Sequence, residues 1–514
     1  MIKAEKYIFY TVLFLFIFFL SLTFNNVDMD FWARVMHGDA VLQTGRVLYF
    51  DPFSYIPTHI WIDHEWGSGV VFAFVQKLFG YSGQIVLKSL MIFGILFFIS
   101  KIADLQENKT TKIYNILFFI MTVYGLQILW INGIRCHFFT FLFFSVYLYI
   151  LELVRKQQKD KLLKLLPLIM LFWCNVHGGC VSGIGLLLMY AFGEALNKKS
   201  FKKYILTAIF CCLTFFINPY GLDYIYFLLF ATTMKRTGIN EWNSLFSTGF
   251  YTLLPVKIFV LGTIIMTVST LIKNIKNKID FTKYIVVYIV TILGLLYIKQ
   301  SPFVIICGAA FFYHEFYAFI NFIFSKISKT TYSVNFTNAK EVIIYLFILS
   351  VSALSLITND YKIKNMDYYP YKAVEFIKNN NLTGKLLNEF GLGSYLAYKL
   401  YPQMLIYIDG RYEEVYYDWS VSLGDDFYIP TDNWKKTLNL SGGADYVLVR
   451  KDFMVYDNML YNAPKYTEIY SDEKFSLFCK NHLLKHRYLL KRPSDNNYYN
   501  YTFFDKIYSY VFKR

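Results

Sequence analysis

Charge is what this sequence has least of. Asp, Glu, Lys and Arg supply only 17% of its 514 residues, whereas a water-soluble domain carries roughly 25%. Cysteine is also sparse. Six of the seven (Cys136, Cys174, Cys180, Cys211, Cys212 and Cys307) lie in or beside apolar runs, where a thiol is a small core residue, so a disulfide-stapled secreted module is excluded. The residues after 358 hold no Gly-rich phosphate loop, nucleophile elbow or zinc-ligand spacing. What is abundant is apolar and aromatic: 56% and 20% of the chain, which excludes a disordered polymer. Runs such as YIFYTVLFLFIFFLSLTF require a bilayer. The net charge of +15 then falls to the positive-inside rule, and no nucleic acid partner is expected. Lysine far outnumbers arginine beside abundant Asn, Ile, Phe and Tyr, which reads as the coding bias of an AT-rich, bacterial genome.

A hydrocarbon core needs about 20 apolar residues per helix. On that ruler spans fall near 7–24, 82–101, 113–130, 136–154, 161–175, 179–196, 203–218, 252–272, 281–298, 302–324 and 341–358, about eleven in all. Every second connection is lysine-rich: 101–112, 155–164, 197–203, 273–283 and 325–340. With those inside, the N-terminus is cytoplasmic and the residues beyond 358 are external. The expected fold class is a membrane-embedded all-α polytopic bundle, residues 1–358 with a first external loop at 25–81, followed by an extracytoplasmic α/β domain at 359–514. The first apolar run is longer than a signal h-region and lacks an Ala-x-Ala site, so it reads as a retained span.

This orientation sorts the polar residues. Seven spans deliver ionisable or amide side chains to the external face, while the cytoplasmic face has lysines and little else. In the first loop, residues 32–43 and 66–79 have apolar positions at helical spacing and predict amphipathic helices at the interface, with Asp51-Pro52 and Pro57 marking the turn between them. Asp28 and Asp30 follow the first span directly. A carboxylate positioned there can serve as general base, and either can instead cap a helix beginning at Phe31.

Read together, these blocks resemble a known pattern. DMDFWARVMHGDAVLQTGRVLYFDPFSY followed by WIDHEW is similar to the first external loop of bacterial proteins of the GT-C glycosyltransferase superfamily, and the resemblance continues at GIRCHFFTFLFF, PLIMLFWCNVHGG, INPYGLDYIY, NEWNS and FGLGSYLAYKLYPQMLIYIDGRYE. It departs at Arg34, Cys136 and Lys299-Gln300-Ser301, where the family usually has His, Pro and an Arg-Arg pair. The resemblance implies a multi-pass enzyme of the bacterial plasma membrane. It would move a hexosyl or pentosyl group from a polyprenyl-phosphate-linked donor to a glycan, lipid or protein acceptor on the external side, with inversion. Asp30 matches the position of the catalytic base, and Asp28 is its companion.

A leaving lipid phosphate needs cations. Arg135, His137 and Lys299, all at external helix ends, are the candidates, against a snorkelling role at the aromatic belt. Asn175-Val176-His177-Gly178-Gly179 interrupts an apolar run, which places His177 toward a cavity or in packing. His64 and Glu65 complete the candidate substrate-binding set. With Asp28, Asp30 and His177 they could also form an O/N-ligand set for a divalent metal, although no local spacing demands one. Asn218-Pro219-Tyr220-Gly221 reads as a helix stop, and Asp409-Gly410-Arg411 as an internal ion pair at a strand end. In the tail, AVEFIKNN predicts a helix and LLNEF, LIYIDGR, DYVLVRK, YTEIYSD and KFSLFCK predict strands. Two rival functions stay open. A lipid-linked-sugar transporter or flippase predicts inverted repeats and mid-membrane charges, neither of which is visible. A non-catalytic assembly factor that kept the fold is the other.

Overall fold

The apolar runs of the sequence become helices whose ends coincide with its polar punctuation. The computed structural model describes residues 2–106, 116–233, 240–275, 279–327, 347–351, 363–432 and 434–486. In order, the first helices are α1 (Ile2–Thr23), α2 (Met29–Thr44), α3 (Trp66–Leu105), α4 (Ile116–Gly125), α5 (Gln127–Ile131), α6 (His137–Gln157) and α7 (Leu165–Val176). They are followed by α8 (Val181–Leu196), α9 (Lys202–Leu213), α10 (Leu222–Thr233), α11 (Leu254–Asn274), α12 (Phe281–Leu296), α13 (Ser301–Phe311) and α14 (Tyr313–Ile327). The chain divides into two compact units: Met1–Asn25 with Ile85–Lys362, and Asn26–Gln84 with Ile363–Arg514.

The first unit is helical. Among the described residues five helices are long and apolar enough to cross a membrane: Lys6–Thr23, Trp66–Leu105, which kinks at Gly80 (φ 61°, ψ −160°), His137–Gln157, Gly178–Leu196 and Leu254–Asn274. Two bent pairs, Lys202–Ile217 with Leu222–Ala231 (114°) and Ile298–Phe311 with Tyr313–Ile320 (79°), bring the number up to seven. The other expected spans are shorter helices, such as α4, α7 and α12, or lie largely outside the described residues, as 341–358 does. The first bend has the chemistry read from the sequence. Asn218 turns extended (φ −63°, ψ 139°), its Oδ1 accepts from the Tyr220 N–H at 3.0 Å, and Gly221 takes φ +56°. At the lysine-rich end, Arg155 bonds Glu152 at 2.9 Å and Asp280 at 2.5 Å, and the Tyr190 and Thr282 hydroxyls donate to Glu152 and Glu194. That network ties α6, α8 and the start of α12 where apolar packing alone would leave charges stranded.

The second unit is mixed. Its strands β1 (Gly384–Leu387), β2 (Met404–Ile406), β3 (Tyr446–Arg450), β4 (Tyr466–Ser471) and β5 (Phe475–Lys480) form one sheet in the order β2-β1-β3-β5-β4, parallel across β2-β1-β3 and antiparallel beyond. Each expected strand segment contributes one of these, and AVEFIKNN lies in α15 (Tyr371–Asn379). The sequence reading missed the helices that cover the sheet: α16 (Phe390–Leu400), α17 (Tyr412–Val415), α18 (Asp418–Tyr428), α19 (Trp434–Asn439) and α20 (Val455–Asn462).

The segment between α1 and the middle of α3, Asn26–Gln84, packs with these C-terminal residues as one unit, a grouping the sequence reading did not anticipate. Tyr55 N–H donates to the Ile406 carbonyl at 3.0 Å and His59 N–H to that of Val415 at 2.8 Å. Arg411, wholly buried, bonds Asp409 at 2.9 Å, so the ion pair expected there exists, and also reaches Asp51 at 2.7 Å. Helix α2 is not the one-faced interfacial helix that its periodicity suggests. Residues 31–38 are buried without interruption, with Trp32 stacked on Tyr398 (5.4 Å) and edge-on to Tyr395 (5.3 Å) of α16. Protein surrounds this stretch, so Arg34 and His37 meet partners instead of water, while residues 42–44 at the end of the helix are exposed. A Cβ on Gly38 would stand 1.9 Å from the Gly69 carbonyl oxygen, so glycine is what allows α2 and the start of α3 to approach.

Candidate active-site residues

In the helical unit, three sequence-predicted residues converge. Arg135 precedes α6 and donates from Nη1 to Glu241 Oε2 at 2.8 Å. Lys299, in the short turn Ile298–Gln300 between α12 and α13, donates to Glu241 Oε1 at 2.9 Å. Glu241 belongs to a single turn, Asn240–Trp242, held to the Lys299 turn by the Ile298 N–H bond to the Asn243 carbonyl at 3.0 Å. Lys299 also lies over the Trp242 ring at 5.5 Å. Burial disfavours the Glu241 charge, but Lys299 and Arg135 outweigh it and hold the carboxyl at about 2. His137 sits in the field of all three groups, 6% exposed, and its Nε2 has no hydrogen-bond partner among the described residues. Two cations share this one carboxylate in a partly desolvated cluster at helix ends, a composition suited to an oxyanion. Glu241 was absent from the sequence-predicted set, although its motif NEWNS was visible; an acid next to Trp in a connection between spans was the available signal.

His177 closes α7 in extended backbone (φ −166°, ψ 134°). Its Nδ1 accepts from the Gly179 N–H at 2.9 Å and pairs with the Thr140 hydroxyl at 2.7 Å, while Thr140 also accepts from Trp173 Nε1 at 2.9 Å. These bonds occupy Nδ1 and leave the proton of the neutral ring on Nε2. A Cβ at residue 179 would meet both Nδ1 and the Thr140 hydroxyl at 2.5 Å, so the second glycine of the motif makes room for this arrangement.

The remaining predicted residues lie in the mixed unit. Asp28 is the N-cap of α2: its Oδ1 accepts from the Phe31 N–H at 3.1 Å, and the helix starts at Met29 instead of Phe31. Asp30 sits in the first turn, half-buried, and does not make that cap bond. His64 and Glu65 belong to an ion network built on Arg34, whose guanidinium reaches Asp63 at 2.5 Å, Glu65 at 3.0 Å and Glu414 at 3.3 Å. His37 bonds the other Asp63 oxygen, and His64 bridges Glu65 and Glu414 at 3.4 Å each. For Asp63, burial is overcome by Arg34 and His37, which hold it well below the carboxylate range. For His64, burial is overcome by Glu414 and Glu65, which raise it, and burial itself raises Glu414. Asp63, His64 and Glu414 offer ligand atoms within 4.8 Å of one another. They do not suit a divalent ion, because the Arg34 guanidinium is already the cation that these carboxylates surround.

Two further features escaped the sequence reading. Lys88 is buried in α3 with its ammonium on backbone carbonyls of Trp130 (2.7 Å), Asn132 (2.5 Å) and Phe24 (3.4 Å), where it caps the ends of α5 and α1. A cavity of about 740 Å³ is lined by Arg155, Lys159, Lys161, Lys199 and Lys203. It lies at the far end of α6 from Arg135, roughly 30 Å away along a helix of that length, amid the lysine-rich connections.

Comparison with solved structures gives the fold. The oligosaccharyltransferase of Archaeoglobus fulgidus in its apo form superposes with a TM-score of 0.55 at 8% identity, over 86% of this chain and 69% of that one. The same enzyme tethered to an acceptor peptide containing an NVT sequon gives 0.52 at 10% identity with the same coverage. The arabinofuranosyltransferase AftD from Mycobacteria gives 0.53 at 11% identity, over 93% of this chain and 40% of that one. The chain thus shares the fold of these solved membrane transferases, with apolar helices and a small C-terminal sheet. No family model and no curated protein matches its sequence.

Proposed function

We propose that this protein is a membrane glycosyltransferase that moves a sugar from a polyprenyl-phosphate-linked donor to an acceptor on the external face of a bacterial plasma membrane. The observation that carries this reading is the Arg135–Glu241–Lys299 cluster beside buried His137, at the ends of helices in a GT-C fold. In the reaction, Asp30 takes the acceptor hydroxyl proton as the acceptor oxygen attacks the anomeric carbon. The bond from that carbon to the phosphate oxygen breaks with its electrons passing to phosphate, and attack opposite the leaving group inverts the centre. Arg135 and Lys299 stabilise the charge that develops on phosphate. The lysine-rich connections, including those around the 740 Å³ cavity, support a cytoplasmic N-terminus and about eleven spans. The test is transfer from a radiolabelled polyprenyl-phosphate sugar by purified protein, with wild type compared to Asp30→Asn. Transfer that Asp30→Asn abolishes supports the assignment. Absence of transfer across a panel of donors and acceptors, by protein that binds the donor, favours the non-catalytic alternative.

A further inference from the structure

Glu241 imitates the ligand proposed for its own site. Each of its two carboxylate oxygens takes one cation, Oε2 from Arg135 at 2.8 Å and Oε1 from Lys299 at 2.9 Å, as two oxygens of a phosphate would. Among the described residues those oxygens bond no other side chain, and the residue stands on one short turn with its side chain 27% exposed. The cations are better anchored. Arg135 leads into α6, and the Lys299 turn is continuous with α12 and α13 and fastened through Ile298. A carboxylate has only two oxygens, and the buried Nε2 of His137 beside the cluster has no hydrogen-bond partner among the described residues. A phosphate brings further oxygens that this ring nitrogen can meet.

We propose that Glu241 is a displaceable counter-ion, which holds Arg135 and Lys299 in place in the resting site, yields both cations to the lipid phosphate, and returns to expel the polyprenyl phosphate product. The proposal rests on the phosphate reading given above. Its logic is charge balance. Counted over Arg135, Lys299 and Glu241 alone, the charge is +1 with Glu241 in place and +2 with it displaced. The donor is a phosphodiester with one negative charge, and breaking its sugar bond produces a monoester that approaches two. Transferring both cations to phosphate therefore favours the charge-separated state more than the donor, which lowers the barrier instead of merely tightening substrate binding. The same exchange without Glu241 would trap the product.

The experiment uses full-length protein in detergent, with farnesyl phosphate and inorganic phosphate as probes and binding read by protection against thermal unfolding. Wild type, Glu241→Gln, Glu241→Asp, Arg135→Ala and Lys299→Ala are compared. Glu241→Gln should bind farnesyl phosphate at least tenfold tighter than wild type. Glu241→Asp, charged but too short to bridge both cations, should fall between. In turnover, Glu241→Gln should lower KM and kcat together through slow product release. Unchanged or weaker farnesyl phosphate binding by both Glu241 variants, while Arg135→Ala and Lys299→Ala still weaken it, overturns the counter-ion role and leaves the phosphate site standing. Farnesyl phosphate binding by wild type that ignores Arg135→Ala and Lys299→Ala overturns the phosphate site and the inference with it. Tightening confined to inorganic phosphate also overturns the proposal, because the ligand would then not be a lipid.

Discussion

Asp28 and Asp30 stand two residues apart, and their side chains give substitution a clean separation. Asp28 Oδ1 receives the Phe31 N–H at 3.1 Å from a residue in extended backbone (φ −105°, ψ 174°), the geometry of a helix cap. Replacing a cap by Ala costs about 1 kcal/mol, whereas Asn caps as well as Asp. Asp28→Ala should therefore lower thermal stability slightly and Asp28→Asn should not. Asp30 lies inside the first turn, where its charge adds roughly 0.3–1 kcal/mol of favourable interaction with the helix N-terminus. If Asp30 is the general base, Asp30→Asn should cost 10²–10⁴-fold in transfer rate, about 3–5 kcal/mol of barrier. The predicted loss of rate thus exceeds any loss of stability several-fold. The assay is unfolding temperature and initial transfer rate on the same purified preparations. An Asp30→Asn protein that folds normally and transfers at the wild-type rate refutes the base assignment. An equal loss of rate in Asp28→Asn would move the chemistry to Asp28.

Arg34→Met leaves Asp63, Glu65 and Glu414 buried without their shared cation, a loss of about 3–5 kcal/mol for a broken buried pair; a melting temperature within 2 °C of wild type would show that the network contributes nothing. Arg135→Ala should reduce kcat/KM on the order of ten- to a hundredfold, from the 1.5–3 kcal/mol of a charged hydrogen bond, and Arg135→Lys should lose less because charge remains while the fork is lost. Equal activity of the Ala variant and wild type removes Arg135 from the site. The Glu241 carboxyl is lowered from 4.5 to about 2, so its contribution to stability is complete above about pH 4.5 and lost as pH falls toward 2. The difference in melting temperature between wild type and Glu241→Gln should accordingly be flat from pH 7 to 5 and shrink below, and a difference independent of pH contradicts the ion-pair account. Reporter fusions after residues 105, 160 and 278 should behave as cytoplasmic, and an external signal at two of them reverses the orientation.

By itself the sequence determined the parts of this protein that depend on local physics. Apolar runs longer than any soluble core requires gave α1, α6, α8 and α11, because a bilayer imposes length on a helix whatever packs beside it. Asn218-Pro219-Tyr220-Gly221 specified its bend, since an Asx turn and a left-handed glycine need only their own neighbours. The strands of the tail were legible for the same reason, as short β-rich segments between turn residues. Arg135, His137 and Lys299 were legible as basic groups at helix ends because each stands at the boundary of an apolar run. Tertiary structure alone decided which charges meet. Nothing local joins Arg34 to Glu414, or Asp51 to Arg411, across more than three hundred residues, and so the grouping of the first loop with the sheet, and the unbroken burial of residues 31–38 in α2, could not be read from periodicity. Glu241 shows the same limit. Its motif was visible, but its role depends on two cations that approach from separate connections, and the energy of an ion pair is set by distance and desolvation, neither of which a linear sequence states.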